Sequence, residues 1–146
     1  MDTNKNFQHW PSIQSLSNLN KSLEKYPELL NGLPTLVHYN GKIKQHGTNS
    51  CVGVLTNGDI LYQSHEHIIT PENDNQGFAR WASSPTQMDF WQRLNNKNKT
   101  NNGSNARDIF VFGEFGGPGI NDKVALNKIP EKIFSFMNKP LLLPRI

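Results

Sequence analysis

Apolar residues recur at helical spacing near the start of the chain, at Leu16, Leu19, Leu23, Tyr26, Leu29 and Leu30. Pro27 interrupts or ends that helix because a helix interior has no room for its ring, and Gly32 and Pro34 close the segment. The pattern then changes to short β-rich runs. Residues 35–39 read as a strand, and 42–46 as a second strand or its continuation. Residues 51–55 and 59–63 flank Thr56-Asn57-Gly58, and Asn-Gly between two such runs is a strong hairpin signal.

Farther along, 76–82 fits a short helix with Phe78 and Trp81 on one side. Ser84 then offers an N-cap, with Pro85 at the first helical position. Met88, Trp91 and Leu94 continue that second helix on a core face. The polar, asparagine-rich stretch 95–105 is expected to be an exposed loop. Residues 109–112 form a strand that delivers Glu114 into a glycine-rich turn. A helix starting near Pro130 fits 129–139, while the alternation of Ile133, Phe134 and Phe136 leaves a strand open. The elements together predict an α+β fold: a mainly antiparallel sheet with flanking helices, in a single domain over 1–146.

Composition narrows the picture only a little. In 146 residues, 35% hydrophobic content suffices for a modest core. The formal charge of +3 is scattered, permitting a polyanionic partner without demanding one. A single cysteine, Cys51, rules out an internal disulfide and points to a reducing compartment; its plain reading is a small buried residue in a strand. The first residues have no apolar signal core and no later stretch is long enough to span a bilayer, so the expectation is a cytoplasmic protein with no membrane partner. The glycosylation-like triplets at Asn20, Asn98 and Asn102 carry no meaning without a secretion signal.

Two motifs carry chemistry. The run Lys44-Gln45-His46-Gly47-Thr48-Asn49 places an amine three residues before a glycine, followed by small polar residues. A covalent lysine nucleophile needs this: an amine able to reach an electrophilic phosphorus, backbone that approaches the nucleotide closely, and hydrogen-bonding side chains around it. Lys42 is the nearest alternative, but no glycine follows it at three residues. The second motif is Phe112-Gly113-Glu114-Phe115-Gly116-Gly117-Pro118-Gly119-Ile120. Its glycines suit backbone turns. No Lys-Ser or Lys-Thr follows them, so this is not a P-loop.

The first run resembles the nucleotidyl-lysine motif of ATP-dependent RNA ligases of the second, nick-sealing type, and the second run resembles that family's third motif. Between them, Gln63-Ser64 and the stretch from Ile68 through Thr70-Pro71-Glu72-Asn73-Asp74-Asn75 to Gly77-Phe78-Ala79 is similar to the family's intervening segment. His9-Trp10-Pro11-Ser12-Ile13 is similar to the way many members begin. The resemblance implies a nucleotidyltransferase that uses ATP and Mg²⁺, adenylylates itself on a lysine, and seals RNA ends in repair. It favours RNA ligation over DNA ligation or RNA capping.

On that resemblance Lys44 is the nucleophile and Glu114 binds the ribose hydroxyls. Gly47 lies against the nucleotide, His46 serves later steps near the phosphates, and Asn49 lies near the nucleic-acid end. The amine must be deprotonated to attack, against an ordinary pKa of about 10.4, and burial or a nearby hydrated cation would lower it.

The chain departs from the family in two places. After Ser64 the family pattern has an arginine, whereas this chain has His65, then Glu66 and His67; a mostly neutral histidine at the nucleic-acid end cannot make a forked phosphate contact. On a strand, His65 and His67 would share a face. Past Ile120 there is no apolar strand with Glu-Gly and no Lys-x-Lys pair, so the chain reads as the front part of an adenylyltransferase domain. The alternative function is a non-catalytic nucleotide- or RNA-binding remnant, or half of a split ligase in which a second polypeptide supplies the missing motifs.

Overall fold

A computed structural model of the chain describes residues 7–10, 15–32 and 44–136. It divides into two compact units, one made of residues 1–9 with 45–146 and the other of 10–44.

In the smaller unit, helix α1 spans Leu16–Lys25, followed by a 3₁₀ turn at Pro27–Leu30. Ser15 starts α1 by accepting the Asn18 backbone N–H on Oγ at 3.1 Å, which satisfies one of the unpaired donors of the first turn. Pro27 cannot continue an α-helical ladder, and the helix stops two residues before it. The strand expected over 35–39 lies outside the described residues, as do Lys42 and Ile43. Lys44, Gln45 and His46 belong to no strand or helix.

The larger unit is an antiparallel sheet of five strands: β1 (Thr48–Val54), β2 (Ile60–Ser64), β3 (Ile68–Ile69), β4 (Ile109–Gly116) and β5 (Ile133–Phe136), in the order β3-β2-β1-β4-β5. The β1–β2 hairpin closes where the Asn-Gly signal stands. Gly58 takes φ +104°, and its N–H and that of Leu55 close the loop on Leu55 and Asp59. Asp108 pins the hairpin to the start of β4, its Oδ1 accepting from both the N–H and the hydroxyl of Thr56 at 2.7 and 2.9 Å.

Two helices cover one face of the sheet, α2 (Phe78–Ala82) and α3 (Pro85–Asn102). Cross-strand partners share a face, so the rows Val54–Ile109 and Val52–Val111 point with Phe115 toward these helices. Phe78 packs edge-on against Phe115, with ring centroids 5.2 Å apart, and Trp81 and Phe134 complete the cluster. Trp91, nearly fully buried, donates its indole N–H to the Ala82 carbonyl at 3.2 Å and so ties α3 to α2.

The asparagine-rich stretch corrects the sequence expectation. Helix α3 runs through it to Asn102, followed by a 3₁₀ turn at Gly103–Asn105. Asn95 and Asn98 are buried there: their Nδ2 groups donate to the Leu55 carbonyl at 3.1 Å and the Arg107 carbonyl at 2.8 Å. Asparagine takes core-facing helical positions here because its amide reaches loop carbonyls, that of Arg107 and that of Leu55, which also accepts the Gly58 N–H.

Residues 133–136 settle the open alternative as strand β5, preceded by a 3₁₀ turn at Ala125–Lys128. Their period-2 pattern pairs Phe134 with Phe115 and sets Ser135 beside Glu114. Cys51 is a buried strand residue, and burial pushes its thiol pKa far up. Among the described residues, no helix is long and apolar enough to cross a membrane.

Candidate functional site

The two motifs meet in neighbouring strands. Antiparallel pairing of β1 with β4 sets Asn49 opposite Glu114, and pairing of β4 with β5 sets Ser135 on its other side. These three form one polar row on the face opposite Phe115 and the helices. The same face becomes apolar toward the other end of the strands, where Phe112 lies beside Cys51, and the Phe110 ring covers Gly53. In the same row as Cys51 and Phe112, buried Gln63 exchanges a pair of hydrogen bonds of 3.0 Å with the backbone of Gln8. The sheet is thus sealed at one end of this face and polar at the other.

Glu114 is half-buried and reaches back across the strand pair. Its Oε1 accepts the backbone N–H of Gly47 at 2.8 Å, while its Oε2 takes no hydrogen bond among the described residues. Gly47 is there because nothing larger fits: a Cβ at this position would run into the backbone carbonyl of Phe115 and come within 3.1 Å of Glu114 Cγ. The glycine of the first motif is therefore required by the strand that carries the second. No hydropathy pattern encodes such a contact, since its partners lie 67 residues apart.

Two asparagines that the sequence reading assigned no site role brace the first motif. Asn121 donates from Nδ2 to the His46 carbonyl at 3.4 Å, and Asn75 donates to Thr48 Oγ1 at 3.1 Å. Asn121 follows the glycine-rich turn, which the Ile120 N–H closes on the Gly117 carbonyl at 3.0 Å, with Gly117 and Gly119 both at positive φ. Glu114 itself lies within β4 and not in the turn. β1 and β4 are hydrogen-bonded neighbours, so no pocket opens between them.

Lys44 and His46 are exposed. Gly47, Asn49 and Glu114 are brought together. His65 is elsewhere, exposed in the bend between β2 and β3, where it lines a cleft of about 430 Å³ with Thr48, Ser64 and Asn75. Ser64 shapes this bend, its Oγ accepting the N–H groups of Glu66 and His67 at 3.3 and 3.0 Å. His65 and His67 thus sit in a turn and do not share a strand face. No group of three His, Cys, Asp or Glu side chains that could hold a metal ion occurs among the described residues.

Chemically, the row offers a carboxylate with an uncommitted oxygen, flanked by an amide and a hydroxyl. A carboxylate so placed can accept hydrogen bonds from a pair of vicinal hydroxyls. No protein-family profile matches this chain, and no curated protein does.

Proposed function

We propose that the chain is an ATP-dependent RNA ligase-type nucleotidyltransferase that forms a covalent lysyl-AMP intermediate on Lys44. The observation that carries this reading is the hydrogen bond from Gly47 to Glu114, which joins the two motifs in one local structure. In this reading Glu114, whose Oε1 is taken by Gly47, offers Oε2 to the ribose hydroxyls, and its cross-strand neighbour Asn49 meets the nucleic-acid end. Lys44 precedes Gly47 by three residues in the chain, a tether of at most about 10 Å.

In the first step the neutral Nζ of Lys44 attacks the α-phosphorus of ATP. A P–N bond forms, the bond to the β-phosphate oxygen breaks, and pyrophosphate leaves with the electron pair while the amine releases a proton to water. The adenylyl group then passes to an RNA 5′-phosphate, and a 3′-hydroxyl displaces AMP to join the ends. His46 serves these later steps. Mg²⁺ bound to the nucleotide would neutralise phosphate charge, held by the phosphates and water rather than by an all-protein cage.

The test is incubation of the folded protein with α-labelled ATP and Mg²⁺, followed by denaturation. Label that stays on the chain, and is lost in Lys44→Ala, is the expected result. A folded protein that retains no label, or one whose label survives Lys44→Ala, overturns the proposal. AMP binding without retained label would leave the non-catalytic binding module as the better description.

A further inference from the structure

On the helix-covered side of the sheet, away from Glu114, the loop before α2 and the segment leading into β5 border a second, open cleft of about 500 Å³. Asp74, Gly77, Arg80, Trp81, Gly119 and Lys132 line it. Asp74 is the only acid among them, and its carboxylate is almost wholly buried and already committed. Oδ1 accepts the N–H groups of Asn75 and Ala79 at 2.7 and 2.8 Å, and Oδ2 accepts that of Arg80 at 3.0 Å.

Oδ2 also lies 3.4 Å from Arg80 Nε, which fixes the guanidinium by one edge. The four N–H donors of its two Nη groups have no partner among the described residues. Lys132 stands across the cleft with its Nζ 5.7 Å from the centre of the Phe115 ring and no carboxylate in ion-pair distance among the described residues. Gly77 makes room for it: a Cβ there would come within 3.2 Å of Nζ. Two cations against one saturated carboxylate leave the cleft with a net positive charge, beside the half-buried indole of Trp81.

We propose that this cleft binds a phosphate carried on a nucleotide, with Arg80 and Lys132 holding the phosphate and Trp81 offering an aromatic wall to the base. The site is separate from the Gly47–Glu114 row and does not depend on the reaction proposed for it. The carrier is either one unit of an RNA strand or a free mononucleotide.

The experiment uses the full chain carrying Lys44→Ala, so that no adenylylation takes part. Binding of a fluorescent, 5′-phosphorylated 10-nucleotide RNA is read by anisotropy over a salt series. Lys132→Gln breaks no ion pair and is the primary variant; Arg80→Gln/Lys132→Gln is the second. The expected result is a loss of about tenfold or more in affinity for the double variant, with the slope of log K against log salt falling by about 1.4 for two lost phosphate contacts to a single strand. Arg93→Gln, on the exposed face of α3, serves as control and leaves both readings unchanged. Displacement of the probe by AMP that is lost in Lys132→Gln assigns the cleft to a free nucleotide, and displacement by unlabelled RNA alone, likewise lost in Lys132→Gln, assigns it to a strand. Unchanged affinity and slope in the folded Lys132→Gln and double variants, or no binding of either carrier, overturns the proposal.

Discussion

Glu114 and Phe115 are adjacent in β4 and lead opposite lives. Phe115 is fully buried in the aromatic cluster with Phe78, Trp81 and Phe134, whereas Glu114 faces the other way and holds the N–H of Gly47. The period of two in a strand makes this possible: one residue anchors the strand to the core and the next presents a carboxylate from a position that cannot drift. The two are also coupled, since the Phe115 carbonyl is what a side chain at position 47 would strike. The helix-covered face supplies rigidity, and the opposite face supplies the polar row.

The comparison breaks most readily at the core. Phe115→Ala is expected to cost about 3–5 kcal/mol, read as a lowered urea midpoint at unchanged slope. Gly47→Ala should come next, at about 1–3 kcal/mol, because the new methyl pushes β1 off β4. Label retention should fall with it, and retention unchanged in a folded Gly47→Ala would separate the glycine from the site. Asn95→Ala should cost less, about 0.5–1.5 kcal/mol, because the Leu55 carbonyl keeps the Gly58 N–H as a donor, and label retention should not change. Glu114→Gln sharpens the contrast from the other side. Its amide oxygen still accepts from Gly47, so stability should shift by less than about 1 kcal/mol while adenylylation falls at least tenfold. Equal stability losses for Glu114→Gln and Phe115→Ala would erase the distinction between the faces.

The smallest effect concerns pH. Burial raises the Cys51 thiol above its ordinary value of 9.0 and also raises the Tyr62 hydroxyl. Above pH 9 the unfolded chain loses the thiol proton while the folded chain keeps it, so the folded state binds more protons and stability falls as pH rises. Urea midpoints measured from pH 8 to 10 should decline, and Cys51→Ala should flatten that decline.

Much of the fold was legible because its signals are local. Asn57-Gly58 marks the hairpin, Phe78 and Trp81 mark α2, and Ser84-Pro85 marks the start of α3. The second half of α3 was hidden because Asn95 and Asn98 occupy inward positions, and hydropathy counts asparagine as a loop residue wherever it points. Only the distant Leu55 and Arg107 carbonyls explain them. The candidate site divides in the same way. Lys44, Gly47 and Glu114 stand out as residue types in motifs, whereas the bond between Gly47 and Glu114, the brace from Asn121 to His46, and the meeting of Arg80 with Lys132 across a cleft arise from chain reversal. His65 illustrates the reverse error. Its spacing from His67 suggested a shared strand face, but Ser64 turns the chain at that point.

Adenylylation of Lys44, in a structure organised by the Gly47–Glu114 bond, is the proposal on which the reading of this site depends. Digestion of the ATP- and Mg²⁺-treated protein followed by mass spectrometric mapping tests it most directly. An AMP adduct on the peptide containing Lys44, strongly reduced in Glu114→Gln, is the expected result. An adduct on another residue, or none on a folded chain, would contradict it.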